Sequence, residues 1–299
     1  MQIPYYSFYM LKFKKYILFF ILSCLIPNTS YQGLLLPSNS YNLLNSNDSY
    51  IFSKNILLGN QVKHNISSSL IVLPQDINIG SFTYNSSNYK NYIFKSNAMI
   101  IDYGQFIDSE SQHTFSSKDF IFSNSIYIKM EDFLYSSATL NYINSNIEQY
   151  NSEGLAIDIN LYYYNKNLIL SSFIKNYGFV ISDYTNYSET LPKSYGLIIT
   201  YKPEYLNSIL SFQYELFNNH NEINIFNELL IFNNSSISIG YTTLAQELYY
   251  GNFNYDFFTG VSLGFSTIYK DYTLDIAIKN LGSIGVIHSL SISKSINQF

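Results

Sequence analysis

The chain has 299 residues, of which 12% are charged, 18% are aromatic and 47% are apolar, and its formal net charge is −5. The apolar content is too high for a disordered chain, and the negative charge, without Lys clusters beyond the first residues, argues against nucleic acid as a partner. All basic residues are Lys, Trp is absent and Tyr and Phe are abundant, a balance that favours β-structure over helix.

The first thirty residues differ from the rest of the chain. Lys12, Lys14 and Lys15 precede the apolar run YILFFILSCLI at 16–26, and small and polar residues follow it. This order is typical of a secretory signal peptide, and the run is too short to span a bilayer as a helix. We therefore predict a signal peptide over 1–30, with cleavage near Ser30 and Tyr31.

The single cysteine, Cys24, lies in ILSC, which loosely matches a lipoprotein signal. The alternative is that Cys24 simply belongs to the apolar run, and Leu25 and Ile26, which continue that run, favour this alternative. A single cysteine cannot form a disulfide within the chain, and a chain cleaved after Ser30 has no cysteine at all.

Residues 31–60 show no sustained alternation of apolar and polar side chains. We expect them to form a plug, a short helix or a periplasmic segment. The remainder, 61–299, is predicted to be one barrel domain.

From residue 61 the chain repeats one theme, about ten residues of alternation followed by a break. In GLAIDINLYYY at 154–164, for example, Leu155, Ile157 and Ile159 share one face while Asp158 and Asn160 share the other. A period of two is the strand signature. The pattern predicts about fourteen strands, at 63–73, 76–85, 97–105, 118–130, 133–144, 154–164, 168–178, 193–202, 207–217, 223–233, 235–243, 258–269, 272–280 and 286–295.

Such alternation occurs in soluble sandwiches or barrels and in transmembrane barrels. Strands of roughly 9–11 residues suit a bilayer, whereas soluble strands average about 5–6. From the third strand onward, tiny breaks such as Lys166–Asn167 broadly alternate with the longer intervals 106–117, 145–153, 179–192 and 244–257. We therefore predict an all-β fold, a transmembrane antiparallel β-barrel with about fourteen strands.

Signals for catalysis or metal binding are weak. The four histidines have no metal-ligand spacing, and the chain has no phosphate-binding Gly-rich loop and no nucleophile elbow. Asp108 and Glu110 could bind a cation, but an ordinary exposed loop is the expected reading. We predict a non-enzymatic protein with no catalytic residue, cofactor or metal site. Four charged residues are expected to face inward and fill the barrel: Asp158, Glu215, Asp275 and Lys279.

The motif Lys-Asn-x-Gly occurs twice, each time at the end of a predicted strand. If the first strand rises from the periplasm, the seventh and thirteenth strands both run outward, so both motifs are predicted to mark the outer rim. Gly and Asn tolerate the positive φ of such exits. The rim residues are Lys175, Asn176, Gly178, Lys279, Asn280 and Gly282. The loop that follows the first motif is the candidate partner-binding loop, with Asp183, Tyr184, Tyr187, Glu189 and Pro192.

Several segments occur in a characteristic order: INIGSFTY at 77–84, IIDYGQF at 100–106, TFSSKDFIFSNSIY at 114–127, YTNYSETLP at 184–192 and GYTTLAQEL at 240–248. They resemble the PorV/PorQ family of the type IX secretion system, barrels related to FadL. The resemblance covers most of the chain after the signal. The chain departs from the family after Gly240, where it lacks the usual arginines and charged pair and has Thr242, Thr243, Gln246 and Glu247.

The resemblance implies a monomeric FadL-like barrel in the outer membrane of a Gram-negative, Bacteroidota-like bacterium. Its surroundings would be outer-membrane lipid and lipopolysaccharide. Its implied role is to anchor a surface protein of the PorZ type, together with other components of the cargo attachment complex.

Two other functions fit the same pattern. One is a FadL-type channel for hydrophobic ligands, which needs an apolar pocket in the lumen and a lateral opening, often made by a kinked strand. The other is a general porin with an open lumen.

Overall fold

A computed structural model describes residues 31–45, 49–58, 64–86, 91–107, 113–185, 189–217, 220–232, 234–243 and 258–296. Fourteen antiparallel strands form one closed barrel, which confirms the fold predicted from the alternation. The strands are β1 Asn65–Val72, β2 Asn78–Asn85, β3 Tyr92–Ile107, β4 Thr114–Glu131, β5 Leu134–Ile147, β6 Tyr150–Asn165, β7 Leu168–Ser182, β8 Ser194–Tyr201, β9 Ser208–Phe217, β10 Asn221–Phe232, β11 Ser235–Thr242, β12 Val261–Tyr269, β13 Tyr272–Asn280 and β14 Val286–Ser295.

Each strand pairs with its sequence neighbours, and β1 closes the barrel by pairing with β14. Leu70 of β1 lies opposite Leu290 of β14 on one side and Gly80 of β2 on the other. The two ends of the barrel chain meet at one rim, where the Ile296 amide donates to the His64 carbonyl at 2.8 Å. The connections from odd-numbered to even-numbered strands lie at the opposite rim, which we call the outer rim.

The outer surface of the barrel carries the apolar residues of the alternation. On β6, Ile157, Ile159 and Leu161 are each nearly half exposed, while Ala156 and Tyr162 are buried on the inner face. An outward apolar band over an inward polar or mixed face is the pattern of a barrel that faces lipid.

Two short helices and a 3-10 turn lie inside the barrel: the turn Gln32–Leu35, α1 Ser40–Asn45 and α2 Ser49–Leu58. The Ser40 hydroxyl is 2.8 Å from the hydroxyls of Ser289 and Ser291, which face inward from β14. Within the described ranges, no helix has both the length and the apolar character needed to cross a membrane. Isolated helices this short are marginal in water, so contacts with the wall stabilise them.

Small residues on the inner wall make room for α1. A Cβ atom added at Gly264 would lie 2.4 Å from Cδ1 of Leu44, and one at Gly240 would lie 2.6 Å from the Leu44 carbonyl oxygen. The Ser262 hydroxyl donates to that same carbonyl at 3.3 Å. The glycines of β11 and β12 therefore fix where the helix packs.

The strands β3, β4, β6 and β7 are longer than predicted, and the long loop predicted at 145–153 is wrong. β5 continues to Ile147 and β6 begins at Tyr150, with Asn146 paired opposite Asn151. The side-chain Nδ2 of Asn144 also donates to Asn151 Oδ1 at 2.9 Å. Asparagines and serines occupy most of this end of both strands, so the alternation of apolar side chains stops although the backbone pairing continues.

Several predictions fall outside the described residues: the signal peptide with Ser30 and Cys24, the acidic pair at 108–110, Tyr187, and the interval 244–257.

We expect Gly240→Val to loosen α1 without unfolding the barrel. The added side chain would collide with the Leu44 carbonyl, and overpacking of this kind costs about 1–3 kcal/mol. The measurement is thiol labelling of Asn42→Cys, a buried position on α1, which should become faster in the Gly240→Val background. Ile239→Val, on the outer face of the same strand, is the matched control, and equal labelling rates in the two backgrounds would contradict the packing described here.

Candidate functional site

The third strand carries a bulge close to the outer rim. β2 begins at Asn78, which pairs with Asp102 of β3, so β3 pairs with β4 alone beyond this point. Between Asp102 and Gln105 the register of β3 against β4 shifts, because two residues of β3 lie opposite one of β4. Gly104 has a φ of +80°, a conformation that glycine adopts without steric cost. On the β2 side of the bulge β3 therefore has no strand partner, and the turn between β1 and β2 lies beside it, with the Asp76 carbonyl oxygen 3.7 Å from a Cβ atom added at Gly104.

Each carboxylate oxygen of Asp102 makes one contact that stabilises the bulge. Its Oδ1 accepts a hydrogen bond from the Gly104 amide at 3.0 Å, and its Oδ2 lies 2.9 Å from Nζ of Lys118 on β4. Because both side chains of the ion pair are about half exposed, the pair itself contributes at most about 1 kcal/mol. The bond to Gly104 and the left-handed glycine are the main determinants of the shape.

The inner surface beside the bulge is apolar. Isoleucines from five strands are almost completely buried there and belong to one cluster: Ile71, Ile79, Ile101, Ile121 and Ile143. Leu34 and Leu36 of the N-terminal segment pack against this cluster. A Cβ atom added at Gly33 would lie 2.9 Å from Cδ1 of Ile101 and 3.3 Å from the Tyr103 hydroxyl. The first turn of the described chain thus covers the apolar surface directly behind the bulge.

A polar network closes the outer rim above this apolar surface. The Tyr103 hydroxyl donates to Oδ2 of Asp119 at 2.8 Å, and the Ser145 hydroxyl donates to Oδ1 of the same carboxylate. The Tyr184 hydroxyl, from the connection after β7, donates to Ser145. Burial raises the pKa of Tyr184 to about 12, so this hydroxyl is a neutral donor at pH 7.

Tyr31 anchors the beginning of the described chain at the same rim. Its hydroxyl bonds to that of Ser152, which in turn donates to the Ser182 carbonyl at 2.6 Å. Burial raises the pKa of Tyr31 to about 12. Side chains from β3–β6, a backbone carbonyl of β7, the following connection and the N-terminal segment therefore meet at one end of the lumen.

A buried ion pair ties α2 to the opposite wall. Nζ of Lys54 lies 2.6 Å from Oε1 of Glu228, whose side chain is fully buried. Glu228 also accepts hydrogen bonds from Tyr50 at 2.7 Å and from Ser236 at 2.6 Å. Burial lowers the pKa of Lys54, but Tyr41 and Glu228 raise it by more, so it lies above its ordinary value. The pair is therefore fully charged at neutral pH.

The two Lys-Asn-x-Gly motifs adopt different structures. Asn176 has a φ of 55° and forms a bulge in β7, where its amide donates to Oδ1 of Asp158 at 2.7 Å. Its Nδ2 donates to the Pro192 carbonyl at 3.0 Å. The predicted strand end at Gly178 needs correction: β7 stops pairing with β8 after Lys175 but remains paired with β6 as far as Ser182.

In the second copy the strand does end. Asn280 is the last residue of β13, and its Oδ1 accepts a hydrogen bond from the Gly282 amide at 2.9 Å. Gly282 has a φ of +65° and packs against Thr259, so glycine is needed there. Both lysines turn inward: Nζ of Lys175 is 3.3 Å from Glu215 Oε1, and Lys279 is 8% exposed on the inner wall.

The described residues of the candidate partner-binding loop bond mostly within the protein. Oδ1 of Asp183 accepts the Glu189 amide at 2.9 Å, Tyr184 reaches into the lumen and Pro192 is buried. These contacts fold the connection over the outer rim, and its role in binding a partner stays a prediction. Among the described side chains, no group of three His, Cys, Asp or Glu residues could hold a metal ion.

Comparisons with known proteins agree with this geometry at the level of the fold. No protein-family model matches the chain, and no curated protein matches it. Among solved structures, the toluene transporter TodX of Pseudomonas putida matches over 87% of this chain and 98% of its own, with a TM-score of 0.57 and 9% identity. The chain has the fold of a FadL-like outer-membrane β-barrel.

Two further solved structures have the same fold. A FadL homologue of Pseudomonas aeruginosa matches over 91% of this chain and 99% of its own, with a TM-score of 0.51 and 8% identity. The toluene transporter TbuX of Ralstonia pickettii matches over 79% of this chain and 89% of its own, with a TM-score of 0.50 and 9% identity. At this level of identity the likeness describes the fold alone.

We expect Lys54→Met to release α2 from the wall. The substitution leaves the carboxylate of Glu228 buried without a counter-charge, and breaking a buried pair in this way costs about 3–5 kcal/mol. Thiol labelling of Asn42→Cys should again become faster. Lys54→Met combined with Glu228→Gln is the control, because the neutral amide removes the isolated charge, and labelling should return towards the original rate.

The same pair defines a pH dependence. Because the pKa of Lys54 is raised in the folded protein, its contribution is complete below the ordinary lysine pKa and is lost only as the pH rises through the folded value. The labelling rate of Asn42→Cys, divided by that of an exposed cysteine at the same pH to correct for thiolate formation, should therefore be constant between about pH 6 and about pH 9. An increase within that range would contradict the assignment of the charged pair.

Proposed function

We propose that the chain is an outer-membrane barrel that binds and passes a small hydrophobic molecule through its side wall. The observation that carries this proposal is the bulge of β3 beside Asn78, the first residue of β2, with an apolar inner surface directly behind it. A molecule that partitions into lipid or membrane interface can use such a side opening without crossing a polar lumen. No enzymatic step is part of the proposal.

The N-terminal segment acts as the closure of this passage. The turn at Gln32–Leu35 covers the apolar cluster, and Lys54 and Ser40 bond to the wall on other sides. Ligand entry therefore requires the turn around Gly33 to move, while the ion pair to Glu228 keeps the rest of the segment in place. This division between a movable turn and a fixed helix distinguishes a gated passage from an open porin.

The ligand class follows from the lining and from the structural neighbours. The side chains behind the bulge are isoleucines and leucines, with Tyr103 and Asp119 at the rim. TodX and TbuX are toluene transporters. Toluene and a long-chain fatty acid are therefore the first two probes, one a compact aromatic and the other an extended chain with a single polar end.

We expect deletion of Gly104 to lower uptake of the better of these probes by about tenfold or more. The deletion removes the extra residue of β3 and restores regular pairing with β4, so β3 loses the bend beside the start of β2 on which the proposed passage depends. The measurement is probe uptake by cells that carry equal amounts of folded barrel. Gly80→Ala is the control, because a Cβ atom there has nothing within 4 Å. Equal uptake by the deletion variant and the original chain would refute the side-wall passage.

The second candidate function is to anchor a surface protein of the type IX secretion system. The ordered motifs that resemble the PorV/PorQ family support it, as do the unequal strand lengths, since β4 has 18 residues and β8 has 8. Strands that long extend beyond a bilayer and place a wall of sheet at the cell surface. A pull-down from outer membranes that recovers no component of the attachment complex would count against this role.

A further inference from the structure

One edge of the barrel sheet is unpaired near the outer rim. β8 pairs with β7 from Tyr201 to Ser194, and the last pair is Ser194 with Lys175. β7 continues to Ser182 and pairs there with β6 alone. Within the described part of the chain, no backbone hydrogen bond reaches the other edge of 177–182.

The described residues just before β8 do not pair with this edge. The Lys193 amide donates to the Leu191 carbonyl at 2.9 Å, so the backbone turns sharply just before β8 begins. Leu191 is 2% exposed, and its Cδ2 would lie 3.3 Å from a Cβ atom at Gly154, which faces inward. Among the described residues of the connection, Leu191 therefore packs on the inner side of β6, and 189–193 form no backbone hydrogen bond with the edge at 177–182.

The hydrogen-bond pattern identifies the residues that face the edge. The Tyr164 backbone N–H donates to the carbonyl of Phe133, the residue just before β5. Since the backbone groups of successive residues in a strand point to opposite sides, the N–H and C=O groups of even-numbered residues of β6 point towards β5 and those of odd-numbered residues towards β7. Tyr177 and Phe179, opposite Ile157 and Leu155, therefore bond to β6. The N–H and C=O groups of Gly178, between these two residues, and of Val180, directly after Phe179, are directed at the open edge; after Val180 the register against β6 shifts by one residue.

This edge extends from the outer boundary of the hydrocarbon layer towards the water. Eight residues of β8 at about 3.4 Å each, tilted by about 40°, rise roughly 20 Å, which nearly fills an apolar band of about 25 Å. Residues 177–182 of β7 lie beyond the outer end of β8. Lipid cannot satisfy unpaired backbone groups, so an open edge is tolerated only on the watery side of this level.

The outward face beside the edge is apolar. Tyr177, Phe179 and Ile181 are 60%, 64% and 51% exposed, and they project on the same side of β7. Nζ of Lys193 lies 5.0 Å from the centroid of the Tyr177 ring at the foot of the edge. No carboxylate of the described residues forms an ion pair with it. A row of apolar side chains with a positive charge at one end is thus next to the unpaired backbone.

We propose that the edge of β7 from Tyr177 to Ser182 binds an extended segment of a cell-surface partner protein by β-strand addition. Unpaired backbone donors and acceptors are matched best by another backbone in the extended conformation. The segment that fits has apolar side chains at alternate positions, which continue the row of Tyr177, Phe179 and Ile181. It also carries one carboxylate where it meets Lys193.

A second copy of this chain does not fit the edge. Two barrels in one membrane share the direction of their axes, and a two-fold axis along the membrane normal relates their β7 strands. Strands tilted by 35–45° then cross at roughly 70–90°, which prevents pairing. The partner is therefore a different polypeptide.

The first experiment asks whether the edge is open in the isolated barrel. Hydrogen exchange of the purified protein in lipid nanodiscs should show fast exchange at Gly178 and Val180 and slow exchange at Tyr177 and Phe179, which bond to β6. Slow exchange at Gly178 and Val180 in the isolated barrel would show that the chain covers its own edge, and would overturn the proposal.

The second experiment uses a ten-residue peptide with Val and Thr at alternate positions and one terminal Asp as the probe. It should bind the nanodisc-held barrel and slow exchange at Gly178 and Val180, whereas a peptide of the same composition in scrambled order should not. Val180→Pro removes an edge N–H and should weaken binding about tenfold or more, while Val180→Thr retains it. Lys193→Gln should weaken binding about threefold, as expected for an exposed charge pair.

Equal binding of the ordered and scrambled peptides, or of the proline and threonine variants, would overturn the proposal. The result does not depend on the passage through the side wall, since Val180→Pro should leave probe uptake unchanged and deletion of Gly104 should leave peptide binding unchanged. Failure of one function is therefore distinguishable from failure of the other.

Discussion

Backbone hydrogen bonding without water is the constraint on which this structure depends. In the hydrocarbon layer an unpaired amide or carbonyl has no solvent partner, so a sheet that crosses it must close on itself. Here β1 pairs with β14 over eight residues, from Asn65 opposite Ser295 to Val72 opposite His288. Once this pairing is made, the alternation of side chains determines which residues face the lipid and which face the lumen, because each strand has only two faces.

The same constraint explains where the irregular backbone lies. The bulge of β3 at Gly104 and the unpaired part of β7 after Lys175 both lie towards the outer rim, beyond the ends of β2 and β8. In the middle of the band either feature would leave backbone groups facing lipid. At the rim, water, polar side chains or another protein can satisfy them, so the outer rim is the part of the barrel on which function can be built.

The inner face follows a different rule, since nothing in the lipid selects its residues. It combines isoleucines near the bulge with serines and ionisable side chains elsewhere, and the N-terminal segment fills the space between them. Glu228 illustrates the consequence. A carboxylate that is fully buried is stable only because Lys54, Tyr50 and Ser236 surround it, which makes the position of α2 as specific as a strand register.

The number of strands and most of their bounds could be predicted because lipid imposes a period of two on every crossing strand. The prediction failed where lipid no longer acts: between β5 and β6, where paired asparagines continue the ladder. The bulge had a local signal in the sequence: Asp102, a hydrogen-bond acceptor, and Gly104 lie two residues apart inside a strand. The strand prediction treated 97–105 as regular and missed it. The pair of Lys54 and Glu228 had none, since 174 residues separate its members and only the closed barrel brings them together.

The two copies of Lys-Asn-x-Gly show how the surroundings decide what a motif becomes. In both, the asparagine ends a regular stretch near the outer rim and the lysine turns inward. After Asn280 the chain turns at Gly282, because β13 and β14 are both near their ends there. After Asn176 the neighbouring β6 still offers backbone partners as far as Glu153, so β7 bulges and continues. The continuation outlasts β8, and it is this difference in length between two adjacent strands, rather than the motif itself, that creates an open edge at the surface.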